Sequence, residues 1–110
     1  MKMPNCALAK IPIEKISEYL LSASHPRGFA KAKWFNTLGY NLETPNELVE
    51  SIMSLACMDI EASVQTDYGT KYVIVGKITG PNGRTAEVKS VWMLIVDETA
   101  PKLVTAYPSK

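Results

Sequence analysis

The sequence predicts an α+β fold in which about three N-terminal helices pack on a four-stranded antiparallel β-meander. Up to about residue 56 the apolar residues recur at helical spacing, and from Ile60 onwards they recur at every second position. No repeat or low-complexity linker separates the two halves. We therefore expect residues 1–110 to form a single domain with a helical layer and a sheet layer.

The first helix is predicted over residues 13–21. Ile13, Ile16 and Leu20 recur at spacings of three and four, which places them on one face of a helix. Pro12 suits the first turn of this helix, where a backbone N–H would lack a helical partner in any case.

A loop and a second helix are predicted next. Pro26 disfavours the helical conformation at His25, so residues 22–28 are expected to form a loop. The second helix is predicted over residues 30–38. Gly39 is placed to end it, because glycine readily adopts the left-handed conformation found just beyond many helices.

The third helix has the most explicit start in the sequence. Thr44, Pro45 and Glu47 match a capping box, with threonine as the N-cap and proline at the first helical position. The apolar stripe that follows consists of Leu48, Val49, Ile52, Leu55 and Ala56.

Alternation and turn signals predict four strands after this helix. Their predicted bounds are 60–65, 71–79, 84–96 and 102–108. In the first strand Ile60, Ala62 and Val64 alternate with polar residues, which predicts one apolar face and one wet face. The third strand becomes apolar on both faces towards its end, a pattern typical of a central strand.

The last strand leaves one question open. If Leu103 and Tyr107 are core residues, Thr105 shares their face and is a buried structural hydroxyl. If Val104 and Ala106 are core residues, Thr105 lies on the open side of the sheet with the cations.

Charge balance and cysteine content narrow the class of protein. Twelve Lys and Arg residues oppose 11 Asp and Glu residues, so attraction to nucleic acid requires the positive charges to be clustered. Cys6 and Cys57 are too few and too far apart to indicate a disulfide framework or a zinc site, and Cys57 is interpreted as a core residue. Without a signal-peptide pattern or a long apolar run, we expect a reduced, cytoplasmic protein that does not associate with membranes.

The residue types favour chemistry without a metal or cofactor. One histidine, two separated cysteines and no clustered carboxylates do not make a ligand set, and no phosphate-binding Gly-rich loop is present. His25, whose unperturbed pKa lies near neutrality, precedes the cations Arg27 and Lys31 at a helix start. Hydroxyls, cations and stacking surfaces on the strands come from Tyr68, Lys71, Tyr72, Arg84, Ser90, Trp92, Thr105 and Tyr107. Taken alone, each of these residues is more often solvated, capping or core.

Five short motifs stand out along the chain. They are His25-Pro26-x-Gly28-x-x-Lys31-Ala32-x-x-Phe35, Tyr68-Gly69-x-Lys71-Tyr72, Gly80-Pro81-x-Gly83-Arg84, Val91-Trp92 and Leu103-Val104-Thr105-Ala106-Tyr107-Pro108. Together they resemble a small bacterial domain family with no established activity, over about residues 13–108. More remotely, the order of helices and strands resembles the barnase/EndoU/colicin/RelE-like toxin RNases.

The RNase resemblance implies cleavage of RNA without a metal, by attack of a ribose 2′-OH on the adjacent phosphate. Under this hypothesis His25 is the acid/base, Lys31 is the stabilising cation and Thr105 donates a hydrogen bond. Tyr72 or Ser90 would assist Thr105.

Substrate binding under the same hypothesis involves further residues. A base of single-stranded RNA would stack on Trp92 or Tyr107. The remaining expected contacts are Arg27, Tyr68, Lys71 and Arg84.

Competing interpretations remain open. One is a noncatalytic protein-binding module, such as an antitoxin, immunity or accessory protein, whose partner would be a toxin; a toxin would in turn have a neutralising partner. Another is a small-ligand pocket lined by Trp34, Trp92 and Tyr107. An exposed sheet edge, at residues 60–65 or in the last strand, could also pair with a second copy of the chain.

Overall fold

A computed structural model describes residues 1–12, 14, 16, 29–41 and 43–109 of the chain. Within these ranges a short 3-10 turn at Cys6–Leu8 precedes two α-helices and four strands. The helices are α1 (Phe29–Asn36) and α2 (Pro45–Met53). The strands are β1 (Ala62–Thr66), β2 (Gly69–Thr79), β3 (Thr85–Ile95) and β4 (Lys102–Pro108).

The four strands form one antiparallel sheet in the order β1-β2-β3-β4, in agreement with the predicted meander and with the broad α+β class. The prediction of three N-terminal helices is wrong, because the described ranges contain two α-helices. Residues 13–21, where the first of the three was placed, lie almost entirely outside those ranges. That predicted first helix rested on the apolar spacing of the segment and on Pro12 before it.

One face of the sheet carries the core and the helices. The buried side chains of the strands are Tyr72, Ile74, Ile78, Val88, Ser90, Trp92, Leu103 and Ala106. Phe35 of α1 and Leu48 and Ile52 of α2 belong to the same apolar cluster. Because the buried strand residues alternate along β2 and β3, this helix-bearing face is distinct from the opposite, open face.

The end of α1 is fixed to the turn between β2 and β3. The backbone N–H of Asn82 donates to the carbonyl of Leu38 at 3.3 Å, and the Asn82 side-chain amide donates to the carbonyl of Thr37 at 2.9 Å. Gly80 is needed for this approach, since a Cβ there would overlap the Leu38 carbonyl oxygen. Gly39, with a φ of 96°, turns the chain after α1 as predicted.

The start of α2 matches its prediction in part. Thr44 is the N-cap and Pro45 is the first residue of the helix. The threonine side chain makes no capping hydrogen bond, however, so the capping box is wrong in that respect. Its hydroxyl lies 3.5 Å from Oδ1 of Asn41 instead.

A disulfide ties the N-terminal segment to the chain just beyond α2. Cys6 and Cys57 are bonded, with their Cα atoms 5.2 Å apart. Beside the bond, the Lys2 ammonium donates to the Cys57 carbonyl at 2.9 Å, and the N–H of Ile60 donates to the Met1 carbonyl at 2.7 Å. The interpretation of Cys57 as a reduced core thiol is therefore wrong.

The disulfide also bears on location. Disulfides persist mainly in oxidising compartments, so the bond gives the predicted cytoplasmic location no support. None of the helices in the described part of the chain has the length and apolar character needed to cross a bilayer.

Candidate functional site on the open face

The open face of the sheet collects apolar, cationic and hydroxyl-bearing side chains. Strand pairing aligns Val73, Val91 and Thr105 in one row across β2, β3 and β4. The flanking rows are Val64–Lys71–Met93–Lys102, Val75–Lys89–Tyr107 and Lys77–Glu87. Most of these side chains are half-buried or exposed, so this face is accessible from solvent.

Positive charge is concentrated here although the whole chain is nearly neutral. Lys71, Lys77 and Lys89 share the open face with one carboxylate, Glu87, while the formal charge of the protein is only +1. A fourth lysine, Lys102, is compensated by Glu98 at 3.5 Å. Lys77 lies directly opposite Glu87, so the excess positive charge among these four residues is that of Lys71 and Lys89.

A bulge in the β3–β4 pairing decides the orientation of the last strand. The register shifts between Val91 and Trp92, so that Leu103 and Ala106 are both buried. Neither alternation predicted from the sequence holds along the whole strand. Thr105 lies opposite Val91 on the open face, as the second of the two alternatives placed it.

Tyr107 lies on the same face, opposite Lys89. The Lys89 ammonium is 6.0 Å from the centroid of the Tyr107 ring, at the outer limit of a cation–π contact. Both side chains are half-buried. This arrangement combines a charge that attracts phosphate with a ring on which a base could stack.

Three of the predicted substrate-binding residues lie in the core instead. Ser90 and Trp92 are 0% exposed and Tyr72 is 8% exposed. The Ser90 hydroxyl donates to the Ile74 carbonyl at 2.9 Å and accepts from the Trp92 indole N–H at 2.9 Å. The polar atoms of Ser90 and Trp92 are thus satisfied internally, and the burial of all three residues does not support a role in substrate binding. A pocket shared by Trp92 and Tyr107 is excluded, because the two rings lie on opposite faces.

Tyr68, Lys71 and Arg84 are exposed but do not lie together. Tyr68 is in the turn before β2 and Arg84 is in the turn after it. The 11 residues of β2 hold these two turns about 35 Å apart. Lys71 lies on the open face near the Tyr68 end, in the row next to that of Val73, Val91 and Thr105 and two strands away from Thr105.

The other predicted catalytic residues fall beyond what the structure describes. His25 and Arg27 lie outside the described ranges, and for Lys31 only the backbone, within α1, is described. Helix α1 contacts the sheet on the helix-bearing face through Phe35, whereas Thr105 is on the opposite face. A site shared by Lys31 and Thr105 would have to extend around an edge of the sheet.

Apart from the open face, a concavity lies between α2 and the end of β2. It has a volume of about 210 Å³ and is lined by Tyr40, Glu47, Glu50, Ser51, Thr79, Gly80 and Pro81. The Tyr40 hydroxyl is 2.6 Å from the Ser51 hydroxyl and 3.2 Å from the Thr79 carbonyl. Burial, aided by the charge of Glu47 and opposed by the Ser51 hydrogen bond, raises the pKa of Tyr40 above its usual value.

The site residues predicted from sequence omitted two of the open-face cations, although alternation had placed both away from the buried face. Lys77 and Lys89 alternate with Ile78, Val88 and Ser90, which are all buried, so strand parity alone identifies them. Within the described ranges, no group of His, Cys, Asp and Glu residues is arranged to hold a metal ion.

Comparison with known proteins places this fold in a family. A family model described as "Domain of unknown function (DUF6883)" matches residues 2–110. The chain belongs to this family. The predicted membership of a domain family without an established activity is thus confirmed, and no curated protein matches the chain.

A solved structure shares the fold of this DUF6883 domain. Its title is "Contact-dependent growth inhibition toxin - immunity protein complex from Klebsiella pneumoniae 342". The match has a TM-score of 0.74 at 15% sequence identity and covers 96% of this chain and 97% of that chain. At this identity the likeness establishes the fold alone. The more remote resemblance to toxin RNases stays a prediction.

Proposed function

We propose that this domain is the toxin half of a toxin–immunity pair and that it cleaves RNA bound on the open face of its sheet. The observation that carries the proposal is the cluster of Lys71, Lys77 and Lys89 on a face that also presents Thr105 and Tyr107. The fold likeness to a chain of a toxin–immunity complex, over nearly the full length of both chains, supports the same class of protein.

The spacing of the lysines fits a short single strand better than one phosphate. Lys71 and Lys77 are six residues apart on β2, which separates them by about 20 Å. Lys89 lies between them on β3, opposite Val75. Cations spaced along a surface together with a ring for stacking are a common means of binding single-stranded nucleic acid.

The proposed reaction needs no metal. A base removes the proton of the ribose 2′-OH, the 2′-oxygen bonds to phosphorus, and the bond to the 5′-oxygen breaks as an acid supplies that oxygen with a proton. Negative charge grows on the phosphate oxygens during this step. We propose that the Thr105 hydroxyl and the Lys89 ammonium, which lie in neighbouring rows of the open face, stabilise it.

His25 as the acid/base and Lys31 as a second cation complete the proposed set, in which the bound RNA extends from the open face around an edge of the sheet to α1. Imidazole suits the role because its pKa permits it both to accept and to donate a proton near neutrality. These two residues enter the proposal on their chemistry and their motif.

Induced expression in a bacterium tests the proposal. The wild-type chain should arrest growth and shorten cellular RNA, and the purified protein should cleave RNA in the presence of EDTA. His25→Ala and Thr105→Val should each relieve the arrest and slow cleavage by about 100-fold or more, as expected for the loss of an acid/base or of an oxyanion donor.

A matched pair of lysine variants distinguishes RNA binding on the open face from a general effect of removing one positive charge. Lys89→Ala should weaken RNA binding and lower its dependence on salt, whereas Lys33→Ala should change neither, since Lys33 is exposed on α1. Harmless expression of the wild type with intact RNA, or equal effects of the two variants, would overturn the proposal.

The immunity half of such a pair is the second candidate function. The observation that favours it is the exposure of apolar side chains near one end of the sheet: Val64 is 56%, Tyr68 78% and Val96 59% exposed. An immunity protein would protect cells against a cognate toxin when co-expressed with it. Growth protection by a chain that leaves RNA intact would decide for this candidate.

A further inference from the structure

Strand β1 is an edge strand that is open to solvent on both faces. It lies at the end of the sheet order, and four of its five residues are exposed while Thr66 is half-buried. Pairing with β2 places Ala62 and Val64 on the open face, opposite Val73 and Lys71. The apolar face predicted for this strand therefore points to solvent. On an edge strand, every second residue directs its N–H and C=O away from the sheet.

The usual protections of a sheet edge are missing from β1. The five residues of the strand include no proline and no charged side chain. Its register with β2 is continuous, so no bulge twists the edge away.

The opposite edge is treated differently. Strand β4 carries a bulge in its pairing with β3 and ends in Pro108. Its start is also covered by the N-terminal segment, where the N–H of Leu103 donates to the carbonyl of Lys10 at 3.0 Å. The N-terminal segment also meets the chain just before β1, where Lys2 bridges to Asp59 and the N–H of Ile60 donates to the carbonyl of Met1. Within the described residues this cover stops short of Ala62–Thr66, so β1 itself offers the longer free edge.

We propose that β1 docks an extended segment of a partner protein, which adds a fifth strand to the sheet and carries basic residues at both ends of an uncharged centre. Main-chain hydrogen bonds would supply the affinity and the flanking charges the specificity. The proposal rests on the toxin–immunity part of the proposed function and not on RNA cleavage.

The acidic residues that flank β1 favour a basic segment of another protein over a second copy of this chain. Glu61 and Asp67, both exposed, flank the uncharged strand on either side. Two copies paired antiparallel about Val64 would place Glu61 of one opposite Asp67 of the other, and like charges directly opposite are destabilising. Pairing about Ser63 is disfavoured for another reason, because Asp59, which would then oppose Asp67, is already bridged to Lys2.

Apolar anchors lie beside the same edge. Val64 is 56% exposed at the centre of β1, and Tyr68 is 78% exposed in the turn that follows. The Tyr68 backbone is held in place, since its carbonyl accepts from the N–H of Val96 at 2.9 Å. Tyrosine at the end of a docking strand suits a binding contact, because it offers a large surface at low conformational cost. Lys71 lies one strand further from the edge and leaves the flanking charge acidic.

A designed peptide provides the test. The probe is the heptapeptide Lys-Thr-Val-Thr-Val-Thr-Lys, added to the whole chain while amide shifts and hydrogen exchange are followed by NMR. We expect shifts and slower exchange concentrated in Ala62–Thr66. The same peptide with glutamate at both ends should bind about tenfold more weakly or worse, and a version N-methylated at alternate residues should not bind.

A charge exchange in the protein makes the test reciprocal. Glu61→Lys combined with Asp67→Lys should reverse the preference, so that the glutamate-ended peptide binds better. Glu43→Lys combined with Glu50→Lys changes the net charge equally, away from β1, and should leave the preference unchanged.

Three outcomes would overturn the proposal: no binding of the lysine-ended peptide at millimolar concentration, binding centred away from β1, or dimerisation of the wild-type chain through β1 in sedimentation. Peptide binding by a chain that neither arrests growth nor cleaves RNA would count against the RNase function alone. RNA cleavage by a chain that does not bind the peptide would count only against the proposal that β1 docks a partner segment.

Discussion

The two faces of the sheet are made from alternate residues of the same strands, and they differ in the burial and hydrogen bonding of their polar side chains. On the helix-bearing face, Ser90 and Trp92 are fully buried and bond to each other and to the backbone. In the described part of the chain, no buried side-chain polar atom lacks a partner. On the open face, Lys89 and Val91, which precede and follow Ser90 in β3, are only half-buried.

This difference shows that residue type alone does not assign a role. Ser90 and Thr105 both carry hydroxyls on adjacent strands, and pairing places them one row apart. The serine hydroxyl completes a buried network, whereas the threonine is half-buried on the open face, in the row next to that of Lys89. The helix-bearing face should therefore control stability, and the open face should control binding.

The largest expected effect comes from the centre of the helix-bearing face. Trp92→Ala should lower the free energy of unfolding by about 3–5 kcal/mol, because it leaves a cavity in a fully buried position. Lys89→Ala, three residues earlier on the same strand, should change it by less than about 0.5 kcal/mol. Denaturant unfolding of both variants measures the contrast, and similar losses in the two would contradict it.

Removal of the disulfide should come next. Replacing Cys6 and Cys57 together by alanine should lower the free energy of unfolding by about 2–4 kcal/mol, since the bond closes a loop of 51 residues. RNA affinity of the still-folded variant should not change, because the bond lies away from the open face. Dithiothreitol should destabilise the wild type and leave the double variant unaffected; a response of the double variant would point to another cause.

A pair of hydroxyl deletions on β3 sharpens the comparison further. Ser90→Ala should cost about 1–3 kcal/mol of stability, because the Trp92 indole N–H loses its buried acceptor. Thr85→Ala removes a hydroxyl that lies 3.0 Å from the Thr79 hydroxyl, but both residues are exposed and water can replace the bond. Its cost should be below about 0.5 kcal/mol. Equal costs would mean that burial does not set the value of these hydrogen bonds.

The smallest effect concerns pH and Tyr40. Burial raises the pKa of this phenol in the folded state, so the folded chain holds the proton more tightly than the unfolded chain does. The resulting stabilisation is fully present below the unfolded pKa of about 10 and is lost as pH rises through the folded pKa.

Unfolding free energy should therefore fall above about pH 10, and Tyr40→Phe should flatten this part of the profile. Denaturant unfolding at several alkaline pH values, with absorbance at 295 nm to follow phenolate formation, provides the measurement. A profile unchanged by Tyr40→Phe would show that other groups cause the loss.

The long central strands were predictable from sequence. The predicted ranges 71–79 and 84–96 correspond to β2 (Gly69–Thr79) and β3 (Thr85–Ile95). Both strands bury one face along their central part, so their alternation is strong, and the turn between them contains Gly80 and Gly83. The stripe of α2 was also correct, because Leu48 and Ile52 are fully buried.

The edge strands were not predictable in the same way. Alternation in β1 separates Ala62 and Val64 from their neighbours, but it does not show whether either face of the strand is buried in the fold. In β4 the bulge inserts a residue and exchanges the faces between Leu103 and Ala106. Neither cause is visible in a local pattern, since both depend on the neighbouring strand.

The candidate site was predictable in part for a related reason. Thr105, Tyr107 and Lys71 were identified by residue type, and they do lie on the open face. Ser90 and Trp92 were selected by the same criterion, although they share strand parity with buried Val88. The disulfide lay beyond sequence reasoning, because Cys6 and Cys57 meet only after the N-terminal segment crosses to the end of α2.

That bond has a mechanical consequence for any process that pulls the chain from its N-terminus. Tension applied at the first residues passes through Cys6 directly to Cys57, and the intervening loop, with a sequence separation of 51 residues, carries none of it. At about 3.5 Å per extended residue, the crosslink withholds about 180 Å of contour length. While the disulfide is oxidised, a pore through which the chain is pulled would have to accommodate two segments of the chain side by side. The chain can pass as a single extended strand only after the bond is reduced.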